Sequence, residues 1–305
     1  MLKRRASAAW RRRTVTAAVS AVVSAVTVGV VGASPATAGQ TVTVDCGGNP
    51  AALRTAVAGA ASGDTLRVRG TCTGPFVIDR NLTLTGLGNA VLDGNFAGST
   101  VVVNGTAQVR LDSLTVINGT GTVVNGQVFG GGILNNGGGS TVTVANSTVR
   151  NNAAQFGGGI AHLAVGGGSV RVERSTVRDN TAGASGGAVF IGRESTLTVS
   201  SSVLRDNNAA FGGAILTDAN GRVTLSSTTV RDNSATQSGG GISTLSGSTL
   251  TLIRSRVEGN SAGGGPGSGG GIVNAGGTVT LTRSDVVNNR PDNCAPPGSV
   301  AGCIG

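Results

Sequence analysis

From Val109 to Val286 the chain alternates between glycine runs and short stretches in which aliphatic residues are spaced by two. Val142/Val144, Val170/Val172, Leu197/Val199, Val223/Leu225, Leu250/Leu252 and Val279/Leu281 are such pairs. A spacing of two places both side chains on one face of a strand and the intervening polar residue on the other. Five residues beyond each pair stands another aliphatic: Val149, Val177, Leu204, Val230, Val257 and Val286. Three further on stands an asparagine: Asn152, Asn180, Asn207, Asn233, Asn260 and Asn289. The glycine runs begin at Gly130, Gly157, Gly186, Gly212, Gly239 and Gly269, in steps of 27, 29, 26, 27 and 30 residues. Each is followed by Ile or Val, at Ile133, Ile160, Val189, Ile215, Ile242 and Ile272.

A period near 27 demands a repeat architecture. Helical repeats do not fit, because glycine and β-branched residues are too frequent. Each repeat holds about three short strands and three corners, and cannot bury its apolar side alone. Winding repeats into stacked coils creates a continuous interior, with parallel strands about 4.8 Å apart. Chirality favours right-handed winding. The pattern therefore predicts an all-β fold: a single-stranded right-handed parallel β-helix of about eight or nine coils. Equal repeat positions then lie above one another. The six asparagines form an expected ladder at one corner, their amides bonding along the column or to turn backbone. Ser147, Ser175, Ser202, Thr228, Ser255 and Ser284 form an expected hydroxyl column beside it.

The ends depart from the repeat. Residues 1–13 carry Lys3, Arg4, Arg5, Arg11, Arg12 and Arg13, followed by an Ala/Val-rich run and by Ala36-Thr37-Ala38. This reads as a cleaved secretory signal over 1–38, leaving no membrane span afterwards and a secreted, extracellular product. Residues 39–65 read as an N-terminal cap. Within it Leu53, Ala56, Val57 and Ala60 share one face of a short helix, which covers the open end of the first coil. Residues 66–290 read as coils, and 291–305 as a disulfide-closed tail. Export and an even cysteine count predict bridges, paired Cys46–Cys72 and Cys294–Cys303, because a long rod keeps its ends apart.

Without the signal, 17 basic residues face 14 acids, a net charge of 17 − 14 = +3. The arginines are scattered, which argues against nucleic acid as a partner. Arg-only usage with abundant Ala, Gly and Val points to a bacterial source.

The G-G-[GA]-[IV] and aliphatic-x-x-N elements resemble the GGAI and FxxN repeats of polymorphic outer membrane proteins. Leu53 to Val68, continuing to Asn81–Gly86, resembles the cap and first coils of secreted pectin-lyase-like β-helix proteins. The resemblance implies the fold. It implies activity only weakly, and Val or Leu stands here where FxxN has Phe.

Polysaccharide hydrolases of this kind need carboxylates converging across coils, and lyases need an acid cluster for calcium plus a base. Asp179, Asp206 and Asp232 instead obey the repeat, one per coil, each preceded by an arginine. His162, the only histidine, has no acid partner at a motif spacing. No catalytic residue, metal ligand or cofactor is assigned. The binding candidate is a stripe of Arg150, Arg178, Arg205 and Arg231, suited to a cell-surface or acidic polysaccharide. Extended backbone would turn the neighbouring aspartates to the opposite face. Phe129, Phe156 and Phe211 precede glycine runs and read as corner packing. The leading expectation is a non-catalytic structural, adhesin-like or surface-interaction protein. The alternative is a polysaccharide lyase or glycoside hydrolase. Oligomeric state is left open.

Overall fold

The computed structural model describes residues 39–163 and 167–304; the proposed signal, 1–38, lies outside them. The chain winds into a parallel β-solenoid with three sheets of 17, nine and seven strands. The first sheet takes two strands from most coils, such as Ser169–Glu173 and Thr176–Arg178. The second takes one three-residue strand per coil, such as Ile160–His162. The third takes the strand after the asparagine corner, such as Thr181–Ser185. Nine strands in the second sheet give nine coils.

The register makes the period physical. Val142 pairs with Val170, Val170 with Leu197, Leu197 with Val223, Val223 with Leu250, and Leu250 with Val279. These columns fill the interior, and most of their members have no exposed surface. Burying each Val, Leu or Ile contributes about 1.5–3 kcal/mol. Successive coils supply the partners, so the core is continuous along the rod.

At the N-terminal end, strand Thr41–Asp45 pairs with Asp64–Thr73, and helix Ala52–Gly59 buries Leu53 and Val57 against them. The Asn49 side chain accepts the Ala51 N–H at 3.1 Å just ahead of that helix. The next strand, Leu82–Asp93, is the longest described and continues the first sheet. Disulfides join Cys46 to Cys72 and Cys294 to Cys303. One insertion breaks the parallel rule. Thr122–Val124 and Gln127–Phe129 form an antiparallel hairpin, because Asn125 and Gly126 both adopt positive φ.

Candidate functional site

Each three-residue strand of the second sheet points its first and third side chains inward and its middle one outward. The outward residues are Leu134, Ala161, Phe190, Leu216, Ser243 and Val273, stacked in register. Leu134, Ala161, Phe190 and Leu216 pack with Val102 and Phe129 as an apolar cluster separate from the core. On one side rise Phe129, Phe156 and Phe211, at the ends of third-sheet strands. On the other are Leu163, Arg193, Asp218 and Leu245. With Phe190, Leu216, Ser243 and Val273 of the floor, these side walls line a groove of about 660 Å³ crossing six coils. Five steps at strand spacing give it a length of about 24 Å.

The rings of Phe129 and Phe156 stack with centroids 5.0 Å apart, and Phe156 meets Phe190 edge-on at 5.4 Å. Phe211, two coils further on, is 37% exposed. The phenylalanines expected to pack in corners thus form a wall. Phe190 had no distinguishing signal, since Val189-Phe190-Ile191 is apolar throughout and does not reveal which residue faces out.

The arginine stripe is in register: Arg150 pairs with Arg178, Arg178 with Arg205, and Arg205 with Arg231. Its compensation differs from the extended-chain expectation. Asp179, Asp206 and Asp232 sit at φ 54–55°, in the left-handed region. That turn brings each carboxylate back onto its own arginine, and Arg178, Arg205 and Arg231 are ion-paired to the next residue. Asn151 occupies the same position after Arg150, so among the described residues Arg150 has no ion pair.

The asparagines hold the coil-to-coil seam. The Asn180 amide nitrogen donates to Asn207 Oδ1 at 3.0 Å, and the same oxygen accepts the Asn180 N–H at 3.1 Å. The pattern runs from Asn152 to Asn289 and closes on Asn293 Oδ1, a rung outside the repeat. Backbone N–H groups of Ser147, Ser175, Thr228 and Ser255 donate to the hydroxyl one coil on.

His162 points inward, away from the groove, and is fully buried with Nδ1 3.2 Å from the Asn135 carbonyl. Burial lowers its pKa, opposed in part by backbone at Asn135 and Gly168. The neutral ring is thus the folded form, while the unfolded chain takes up a proton near pH 6.5. Between that value and the lowered folded one, the unfolded state binds more protons. Stability is therefore full above pH 6.5 and falls below it, by up to about 1.4 kcal/mol per pH unit. Melting temperatures between pH 7.5 and 5 are expected to decline in wild type and to stay nearly flat in His162→Leu. Equal declines in both would remove His162 as the cause.

The sequence over residues 89–296 matches the family described as right-handed β-helix region. The chain belongs to the right-handed β-helix family. Among solved structures it is similar to pectate lyase Pel9A, with 13% identity, a TM-score of 0.50, and coverage of 88% of this chain and 90% of that one. At that identity the likeness extends to the fold. No curated protein matches the sequence.

Proposed function

We propose that this right-handed β-helix protein works outside the cell as a non-catalytic rod that holds an extended surface polysaccharide along its second-sheet groove. The groove itself carries the reading. Its floor gives one side chain per coil, mostly apolar, at a rise of about 4.8 Å, close to the advance per sugar of an extended glycan. Its walls add phenyl faces for the C–H faces of sugar rings. Gln127, Ser185, Ser238, Arg193 and Asp218 supply a few polar groups at the margins. Binding sites of this size are mostly apolar with a small number of placed polar groups.

Export is supported by the 1–38 leader pattern and by the two disulfides. The repeat carboxylates Asp179, Asp206 and Asp232 are each held by an arginine, which favours a structural role for them.

Affinity electrophoresis against xylan, cellulose derivatives and polygalacturonate tests the reading. Phe190→Ser is expected to weaken binding of the retained polymer at least about tenfold, the effect of losing one well-buried aromatic contact. Binding that survives Phe190→Ser but disappears in Arg150→Gln and in salt would transfer the site to the arginine stripe. Shortening of the polymer during incubation would replace binding by catalysis.

A further inference from the structure

The C-terminal end of the first sheet is finished differently from the other. Its last strands are Thr278–Thr282 and Asp285–Val287, and each has a partner only on the preceding coil. The Thr278 N–H donates to the Ser248 carbonyl, and the Thr282 carbonyl accepts the Arg254 N–H. Backbone alternation then turns the N–H and C=O of Val279 and Leu281 outward along the rod. Among the described residues nothing takes them up. Val279 and Leu281 continue core columns whose previous members, Leu250 and Leu252, are wholly buried, yet both are part-exposed here. The tail covers the end of the second sheet instead, through Cys294–Ala295 on Ile272–Val273.

Edge strands are ordinarily guarded by charge, proline or a bulge. Thr278-Val279-Thr280-Leu281-Thr282 has none of these. At the other end of the sheet helix Ala52–Gly59 packs on strand Thr41–Asp45, burying Val44 while Val42 stays 44% exposed, and Asp45 puts a charge on that edge.

We propose that the Thr278–Thr282 edge is a docking surface for a second copy of this chain, paired antiparallel about a twofold axis at Thr280. The hydrogen-bonding pattern selects this occupant. In an antiparallel ladder, directly opposed residues alternate between exchanging two hydrogen bonds and exchanging none. Centring on Thr280 sets Val279 opposite the partner copy's Leu281 and Leu281 opposite its Val279. These are the residues whose backbone groups face out, so every free donor meets a free acceptor. Thr280 meets its own symmetry mate as the unbonded pair. The strand is uncharged throughout and has nothing to repel its copy. A twofold normal to the sheet keeps inward faces inward, so Val279 and Leu281 of both copies close one continuous core. The contact is isologous and ends at two copies, whereas a head-to-tail contact would grow into fibres.

Thr280 is exposed, and its own N–H and C=O face the preceding coil, so its side chain can be changed without disturbing the coil. Sedimentation equilibrium of the purified protein is expected to show a monomer–dimer equilibrium with no larger species. Thr280→Lys places two ammonium groups across an unbonded pair about 4.5 Å apart and should weaken dimerisation at least tenfold. Thr280→Glu should do the same. Mixing the two variants should restore a heterodimer of wild-type affinity or better. A protein monomeric up to about 100 μM, well above the concentration at which a micromolar dimer forms, would overturn the proposal. So would a dimer indifferent to Thr280→Lys, or open-ended oligomers.

Discussion

Replacing Gly213 with alanine is expected to destabilise the protein by about 3 kcal/mol or more. Gly213 is the second glycine of its run, and the reason is space. A Cβ there would stand 2.2 Å from the Gly240 carbonyl oxygen and 2.5 Å from the Ser234 carbonyl oxygen. Both are backbone atoms of the next coil, which cannot rotate away as a side chain would. The equivalent Gly131, Gly158, Gly187, Gly240 and Gly270 are closed off in the same manner, each by carbonyl oxygens within 2.4 Å. Coils therefore touch backbone to backbone along this column. The following position takes alanine naturally, as the fully buried Ala188 and Ala214 show. Gly241→Ala at that position is the control, with a smaller expected loss. At about 2–4 °C per kcal/mol for a chain of this size, the melting temperature should fall by about 6–12 °C or more. Amide exchange should rise first in the coils on either side, since each coil leans only on its neighbours. A Gly213→Ala variant melting within a degree or two of wild type would remove the close-packed column from the account.

The interior of the rod was legible because its periodicities are simple. A spacing of two marked Val170 and Val172 as inward, and repetition near 27 residues stacked them. Asn207 declared itself by recurring three residues after an aliphatic. The outer face was less legible, for two physical reasons. A strand as short as Val189–Ile191 has two inward residues and one outward, so an apolar Phe190 leaves no alternation to read. And Asp179 follows Arg178 on what reads as extended chain, where neighbours diverge. One left-handed residue reverses that, and the sequence marks it only as an aspartate at a corner. The groove and the neutralised stripe were hidden by these two local effects. The open edge at Thr278–Thr282 was hidden by the repeat itself, since Val279 and Leu281 look like every other inward pair.

Asn207→Leu is expected to cost about 3–5 kcal/mol, more than the loss of one hydrogen bond, because the ladder shares its acceptors. Asn207 is 1% exposed. Its Oδ1 accepts from both the backbone N–H and the side-chain amide of Asn180, at 3.1 and 3.0 Å. Its own amide donates to Asn233 Oδ1 at 2.9 Å, to the Arg205 carbonyl at 2.8 Å and to the Val177 carbonyl at 3.1 Å. Leucine matches the volume and supplies none of this. The Asn180 N–H is then buried without a partner, and each such group costs about 1–3 kcal/mol. The Asn180 amide fares better, keeping the Val149 and Arg178 carbonyls. The rungs all point the same way along the rod, so each amide polarises the next and a gap weakens its neighbours too. Asn289 is the last repeat asparagine, is 6% exposed, and its amide donates to Asn293 Oδ1 in the tail as well as to the Val257 and Val287 carbonyls. Asn289→Leu should therefore cost less than Asn207→Leu. Equal losses at the two positions would mean that the asparagines act as independent turn residues, and a negligible loss at Asn207 would mean that the seam is held by backbone pairing alone.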